Sequence, residues 1–187
     1  MGSRVEIDGV DIEGVKVVHS THNEDARGSF ARWFCSRELT DVLAGRQIVQ
    51  INYSSTKQVG AMRGLHFQNP PNAEMKLIRC LRGRVFDVVV DLRTDSPTFL
   101  RWHATELAAD NARMVVIPEG FAHGFQVLEP DSELLYLHTA HYAPSAESGL
   151  RFDDPRLAIR WPREVTELAV RDKNHPLLSP SFRGIKL

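Results

Sequence analysis

The 187 residues fit one domain of ordinary size, long enough to bury a sizeable core. Hydrophobic residues make up 42% and charged residues 25%, which excludes a disordered chain. The net charge is −1, so neither sign dominates and there is no electrostatic case for nucleic acid or a membrane surface.

The N-terminus, MGSRVEIDGV, has no apolar segment of the signal-peptide kind, and Glu6 stands where a myristoylation motif needs Ser or Thr. Val15-Lys16-Val17-Val18 predicts a short strand, and Gly28 to Phe34 alternates in part. Ser36 to Ala44 predicts a helix, with Ser36 as its cap and Gly45 as its stop. Ile48 to Tyr53 alternates, with Ile48, Gln50 and Asn52 on one face. Leu77 to Leu81 and Val85 to Leu92 follow, the second rich in β-branched residues and too short for a typical buried helix. Further strands are predicted at Trp102–Leu107, Met114–Ile117, Gly124–Leu128 and Glu133–Thr139, separated by Thr94-Asp95-Ser96-Pro97, Pro118-Glu119-Gly120 and Glu129-Pro130-Asp131. From Pro144 the chain is rich in proline and predicts wrapping loops and short helical turns. Many short strands at this spacing predict a sandwich or barrel of jelly-roll type. No glycine-rich phosphate loop follows a strand, so a Rossmann or P-loop reading has no support. Cys35 and Cys80 lack metal-binding or disulfide spacing and predict two buried thiols in a reducing cytoplasm. No apolar run is long enough to span a bilayer.

Three segments concentrate reactive side chains: Arg63 to Gln68 with His66, followed by Lys76; Pro118 to Phe125 with His123; and Glu133 to Tyr136. A cup lined with His, Lys, Arg and Tyr suits proton transfer on a small anionic substrate. His serves as base near neutral pH, Lys or Arg steadies a developing oxyanion, and Tyr is a neutral acid. A lone His is more often a surface or hydrogen-bonded core residue, and His19, His22, His103, His138, His141 and His175 are read that way. Asp87 and Asp91 share one face of a very apolar strand, so at least one is expected to meet a His, Lys or Arg. A His66, Glu74, His123 metal site is the sharpest rival, but the paired histidines usual for metal-binding cupins are missing, since Phe67 and Gln68 follow His66.

Arg63-Gly64-Leu65-His66-Phe67-Gln68, Lys76-Leu77-Ile78-Arg79-Cys80, Phe86 to Arg93 with Ser96-Pro97-Thr98-Phe99, Ile117 to Phe125, Tyr142-Ala143-Pro144 with Glu147, and Asp153-Asp154-Pro155 ahead of Trp161-Pro162 together resemble the dTDP-4-dehydrorhamnose 3,5-epimerases. The similarity runs in order from about Asp25 to Asp172. The resemblance implies a mainly β, cupin-type jelly roll of one domain, without metal or other cofactor. It also implies a homodimer in which roughly residues 1–50 pack on the partner. The substrate implied is a dTDP-linked 4-keto-6-deoxyhexose, inverted at C3 and C5 through an enolate. His66 matches the base, Asp172 the carboxylate that orients it, Lys76 the enolate stabiliser and Tyr136 the acid on the opposite face. Arg63, Gln50, Asn52, His123 and Glu147 match pocket-lining positions, and Arg27 and Phe30 match a segment reaching the nucleotide from the partner. Arg32 stands where the family has a Glu that accepts a hydrogen bond from thymine, and an arginine cannot accept one. That leaves another base or another reader. The alternatives are an epimerase acting at C3 alone or on another nucleotide sugar, a metal-dependent cupin, and a sugar-nucleotide binding module without catalysis.

Overall fold

The computed structural model describes residues 5–187. Met1 and Gly2, the start of the myristoylation-like segment, lie outside the described residues, as does the very start of the segment over about 1–50. The strands are β1 (Val5–Gly9), β2 (Lys16–Ser20), β3 (His22–Asp25), β4 (Gly28–Ala31), β5 (Gln50–Thr56), β6 (Met62–Gln68), β7 (Lys76–Arg82), β8 (Arg84–Asp91), β9 (Trp102–Ala108), β10 (Arg113–Ile117), β11 (Phe121–Val127), β12 (Ser132–His138) and β13 (Glu147–Gly149). Two one-turn helices, α1 (Thr40–Leu43) and α2 (Val170–Lys173), complete the set. One sheet runs β1-β2-β10-β7-β12-β5, and a second runs β13-β6-β11-β8-β9. All neighbours in both are antiparallel. This is the expected mainly β jelly roll. The hairpin of β3 and β4 pairs with neither sheet.

Alternation explains the layers. On β7, Ile78 and Cys80 point between the sheets and join Val85, Val89, Val115, Phe125 and Leu134 in the central cluster. Leu77, on the other face of β7, packs outward with Val18, Met114, Val116, Leu137, Leu39 and Leu43. Val88 and Val90 on β8 likewise pack outward, on Leu150, Leu157 and Ile185 of the C-terminal segment. The outer faces around β7 and β8 are therefore covered by the chain's own segments, which is why β8 reads as a nearly continuous apolar run. Each fully buried side chain of this size contributes about 1.5–3 kcal/mol.

The structure departs from expectation at several points. The helix expected over 36–44 shrinks to Thr40–Leu43, preceded by a turn in which Leu39 N–H donates to Cys35 O at 3.0 Å. Ser36 does not cap it: Leu39 holds the cap position and has no side-chain cap bond. Thr40 instead bonds back to the Ser36 and Arg37 carbonyls, and left-handed Ala44 and Gly45 end the turn. The expected strand over 28–34 stops at Ala31, and the one over 48–53 shifts to Gln50–Thr56. β6, which holds the Arg63–Gln68 motif, carries no clean period because both its faces are covered, so its pattern did not mark it as a strand.

Candidate active site

The open end of the sandwich holds a cavity of about 990 Å³. Its walls come from both sheets: β6 and β11 on one side, β5, β7 and β12 on the other, with a C-terminal strap closing one end.

His66 on β6 lies directly across from His123 on β11. Beside this pair the two strands come unusually close at Gly64 and Gly124. A Cβ on Gly64 would fall 2.5 Å from the Gly124 Cα, and Gly64 has φ 113°, so only glycine fits. The register also shifts between His123 and Phe125. That irregularity aims the two histidines into the cavity rather than along the sheet.

Asp172 arrives from far along the chain. Buried Gln126 holds the strap by bonding both the N–H and the carbonyl of Arg163, and Met62 N–H donates to Glu167 O at 2.9 Å. These contacts deliver α2 to the back of β6. There the His66 Nε2–H donates to Asp172 Oδ1 at 2.8 Å, and the Gly64 amide donates to Oδ2 at 3.1 Å. Asp172 is 2% exposed. Burial pushes its carboxyl up, but the bond from His66, the His66 charge, the Gly64 amide and Arg171 outweigh it and hold it below the usual range. With Nε2 committed to Asp172, the lone pair of His66 sits on Nδ1.

Tyr136 stands on β12 in the opposite sheet. Its hydroxyl pairs with Ser54 Oγ at 3.0 Å, its ring meets His123 edge-on, and it stacks on His138. Burial pushes its phenol up to about 12, so it is a proton donor throughout the neutral range. Lys76, at the start of β7, is 9% exposed at its side chain. Its ammonium lies 3.1 Å from Glu74 Oε1 and 3.4 Å from the His66 carbonyl, which places it between the two walls.

Asn52, Arg63, His123 and Glu147 line the same cavity. Gln50 does not, but donates to Asn52 Oδ1 at 3.2 Å. Arg63 is steadied by Thr56 Oγ1 and the Ser55 carbonyl. Glu147 accepts from the Tyr142 hydroxyl and from Arg171. Arg27 and Phe30 are not brought to the cavity of their own chain. Both are exposed on the β3–β4 hairpin, Arg27 paired with Asp25. Arg32 is paired with Glu38 at 2.6 Å.

Both aspartates of β8 found partners, Asp87 with His123 at 2.7 Å and Asp91 with Arg93 at 2.7 Å. The His66, Glu74, His123 trio is not assembled as a metal site, because Glu74 binds Lys76 and His138 while His123 binds Asp87. Among the described residues, the group close enough to share an ion is His66, Asp172 and His175. There the His66 and Asp172 donor atoms already bond each other.

Sequence reasoning missed His138, Arg171 and Ser54 as cavity residues. The sequence reads His138 as one of the ordinary histidines. The available signal was its place two residues after Tyr136 on an alternating strand, which puts both on one face.

The chain matches the family model described as dTDP-4-dehydrorhamnose 3,5-epimerase over residues 9–180. It is 39% identical over 182 residues to the dTDP-4-dehydrorhamnose 3,5-epimerase of Sinorhizobium fredii, spanning 95% of this chain and 93% of the relative. Among solved structures it resembles the dTDP-6-deoxy-D-glucose-3,5-epimerase of Legionella pneumophila in complex with dTDP-4-keto-L-rhamnose, with TM-score 0.88, 36% identity, and 93% of each chain covered. A 3'-monoepimerase from Streptomyces bikiniensis in complex with dTDP-quinovose is also similar, with TM-score 0.83, 33% identity, and 90% of this chain and 85% of that one covered.

Proposed function

The chain belongs to the dTDP-4-dehydrorhamnose 3,5-epimerase family, and we infer from this and from its cavity that it is an isomerase inverting C3 and C5 of a dTDP-linked 4-keto-6-deoxyhexose. One observation carries the reading: a His–Asp pair and a protonated tyrosine stand on opposite sheets of one cavity, with a lysine ammonium between them.

The steps follow from that placement. The C4 ketone acidifies the hydrogens on C3 and C5. His66 Nδ1 removes one of them, and Asp172 steadies the imidazolium that results. Charge moves onto the C4 oxygen, where the Lys76 ammonium meets it. Tyr136 returns a proton from the other wall, which inverts the carbon, and solvent resets both groups. No electrons leave or enter, so the reaction calls for no redox carrier. Asn52, Arg63, His123 and Glu147 hold the sugar and diphosphate around these groups.

The assembly we propose is a homodimer. Phe30 is 69% exposed on a hairpin that pairs with neither sheet, and a two-stranded hairpin alone is marginal. Ile51 is 61% exposed on β5, an unpaired sheet edge, with Tyr53 and Val49 also exposed beside it. A second copy covers these groups and brings Arg27 and Phe30 to the neighbouring cavity. Free thiols at Cys35 and Cys80 support a cytoplasmic location, and among the described residues no helix is long and apolar enough to cross a membrane.

The test is solvent exchange. In deuterium oxide the protein is expected to place deuterium at both C3 and C5 of the dTDP-linked keto sugar. Tyr136→Phe is expected to keep exchange through His66 but lose inversion, and His66→Ala to lose exchange at both carbons. Exchange at C3 alone by the unaltered protein assigns it to the 3'-monoepimerases, and exchange at neither carbon rejects the reading.

A further inference from the structure

We propose that Glu74 and His138 are positioning residues for Lys76, forming a relay that fixes the direction of its ammonium before substrate arrives. The inference rests on the reading of Lys76 as the group that meets the enolate oxygen.

Lysine is a flexible stem carrying three N–H donors, and a free one points nowhere in particular. Here one N–H faces Glu74 Oε1 at 3.1 Å and a second lies 3.4 Å from the His66 carbonyl. That leaves the third for a ligand oxygen in the cavity. Glu74 itself sits in the loop ahead of β7, outside any strand pairing. Its orientation needs a second anchor, which is His138: Nδ1–H donates to Glu74 Oε2 at 2.6 Å. His138 is the cross-strand partner of Lys76, so the carboxylate bridges two side chains on one sheet face. Both Glu74 and His138 are nearly buried, with side chains 8% and 9% exposed.

The relay continues outward. Asn52 Nδ2 donates to His138 Nε2 at 3.3 Å, so that nitrogen is an acceptor and the ring proton belongs on Nδ1, where Glu74 needs a donor. Gln50 donates to Asn52 Oδ1, and Gln50 Oε1 accepts from the Tyr142 amide at 3.0 Å. The Tyr136 ring stacks on His138 and fixes its plane. Gln50 and Asn52, matched by resemblance to pocket-lining positions, thus hold His138 in the free protein. The Glu74 carboxyl lies below its ordinary range: burial pushes it up, and His138 and Lys76 together outweigh burial. It is therefore an anion that fixes Lys76 while partly offsetting its charge. What the relay contributes is a set direction, the preorganisation that lets an ammonium act without reorganising as charge develops.

Substitutions at the two positions separate direction from packing. Glu74→Gln keeps the shape but leaves one oxygen for two donors, so its amide N–H₂ faces either the His138 Nδ1–H or the Lys76 ammonium. His138→Ala removes the anchor. His138→Asn puts an amide donor close to where Nδ1 stood, whereas His138→Gln puts it near Nε2. With kcat and KM measured by deuterium exchange at C3, Glu74→Gln, His138→Ala and His138→Gln are expected to lower kcat by about tenfold to hundredfold, the scale of a misplaced catalytic group. KM should stay within about threefold, because direction matters most when charge develops. His138→Asn is expected to keep kcat within about threefold of the unaltered protein. The inference is overturned if kcat survives Glu74→Gln and His138→Ala, if the loss lies in KM alone, or if His138→Asn is as slow as His138→Ala. Thermal denaturation identifies any variant that fails to fold, and the His138→Asn and His138→Gln pair still decides the matter among those that do. Lys76→Ala separates the two levels. If it exchanges normally, the role of Lys76 falls. If it is inactive while the Glu74 and His138 variants are not, only the relay falls.

Discussion

Asp172→Asn is the sharpest perturbation of the proposed base. Two hydrogen-bond donors face the carboxylate, His66 Nε2–H at 2.8 Å and the Gly64 amide at 3.1 Å, and Arg171 Nε lies 3.3 Å from Oδ1. A carboxylate accepts from both, but an asparagine has only one oxygen. If that oxygen stays with Gly64, the amide N–H₂ faces His66, the ring proton moves to Nδ1, and the lone pair leaves the cavity. If the oxygen stays with His66, two N–H groups face each other in a site where Asp172 is 2% exposed. Restoring the productive tautomer then costs about 1–3 kcal/mol for the clashing donors, and the lost charge-assisted bond to the imidazolium costs about 1.5–3 kcal/mol more. The sum of about 2.5–6 kcal/mol converts to a fall of about 10²–10⁴ in kcat. Exchange at C3 and C5, measured with dTDP-sugar affinity as the control, reads it out. Activity within threefold of the unaltered protein, with affinity and fold intact, would refute the role of Asp172 and the tautomer argument with it.

The same carboxylate makes a pH prediction. Its folded pKa lies below the ordinary 3.8, so its stabilisation is complete above about pH 4 and is lost as pH falls through the lower folded value. In urea titrations between pH 3 and pH 7, the gap between the unaltered protein and Asp172→Asn is expected to be constant at the upper end and to close toward the lower, and a gap that widens on acidification would contradict the assignment. Gly64→Ala puts a Cβ 2.5 Å from the Gly124 Cα at φ 113°, so a stability loss of about 3 kcal/mol or more is expected, visible as a shifted denaturation midpoint. Ile51→Glu places a charge on the exposed β5 edge, and sedimentation is expected to show a dimer for the unaltered protein and a monomer for the variant. A wild-type monomer would reject the dimer.

The sequence by itself determined the fold class and the family. The β-branched run Val85 to Leu92 and the regular turns made a β sandwich the natural solution, and the motifs around His66, Lys76, His123 and Tyr136 carried the family resemblance. It also called for a partner to at least one of Asp87 and Asp91, because a carboxylate buried in an apolar strand is costly unless paired. The tertiary structure alone decided which residues meet. Asp172 reaches His66 because Gln126 and Met62 tether the strap, and 106 residues separate the two groups. Glu74 meets both Lys76 and His138 instead of His66 and His123, because pairing of β7 with β12 sets Lys76 and His138 side by side. Local pattern fixes which way a side chain points along its own strand, whereas long-range pairing and packing decide what stands opposite.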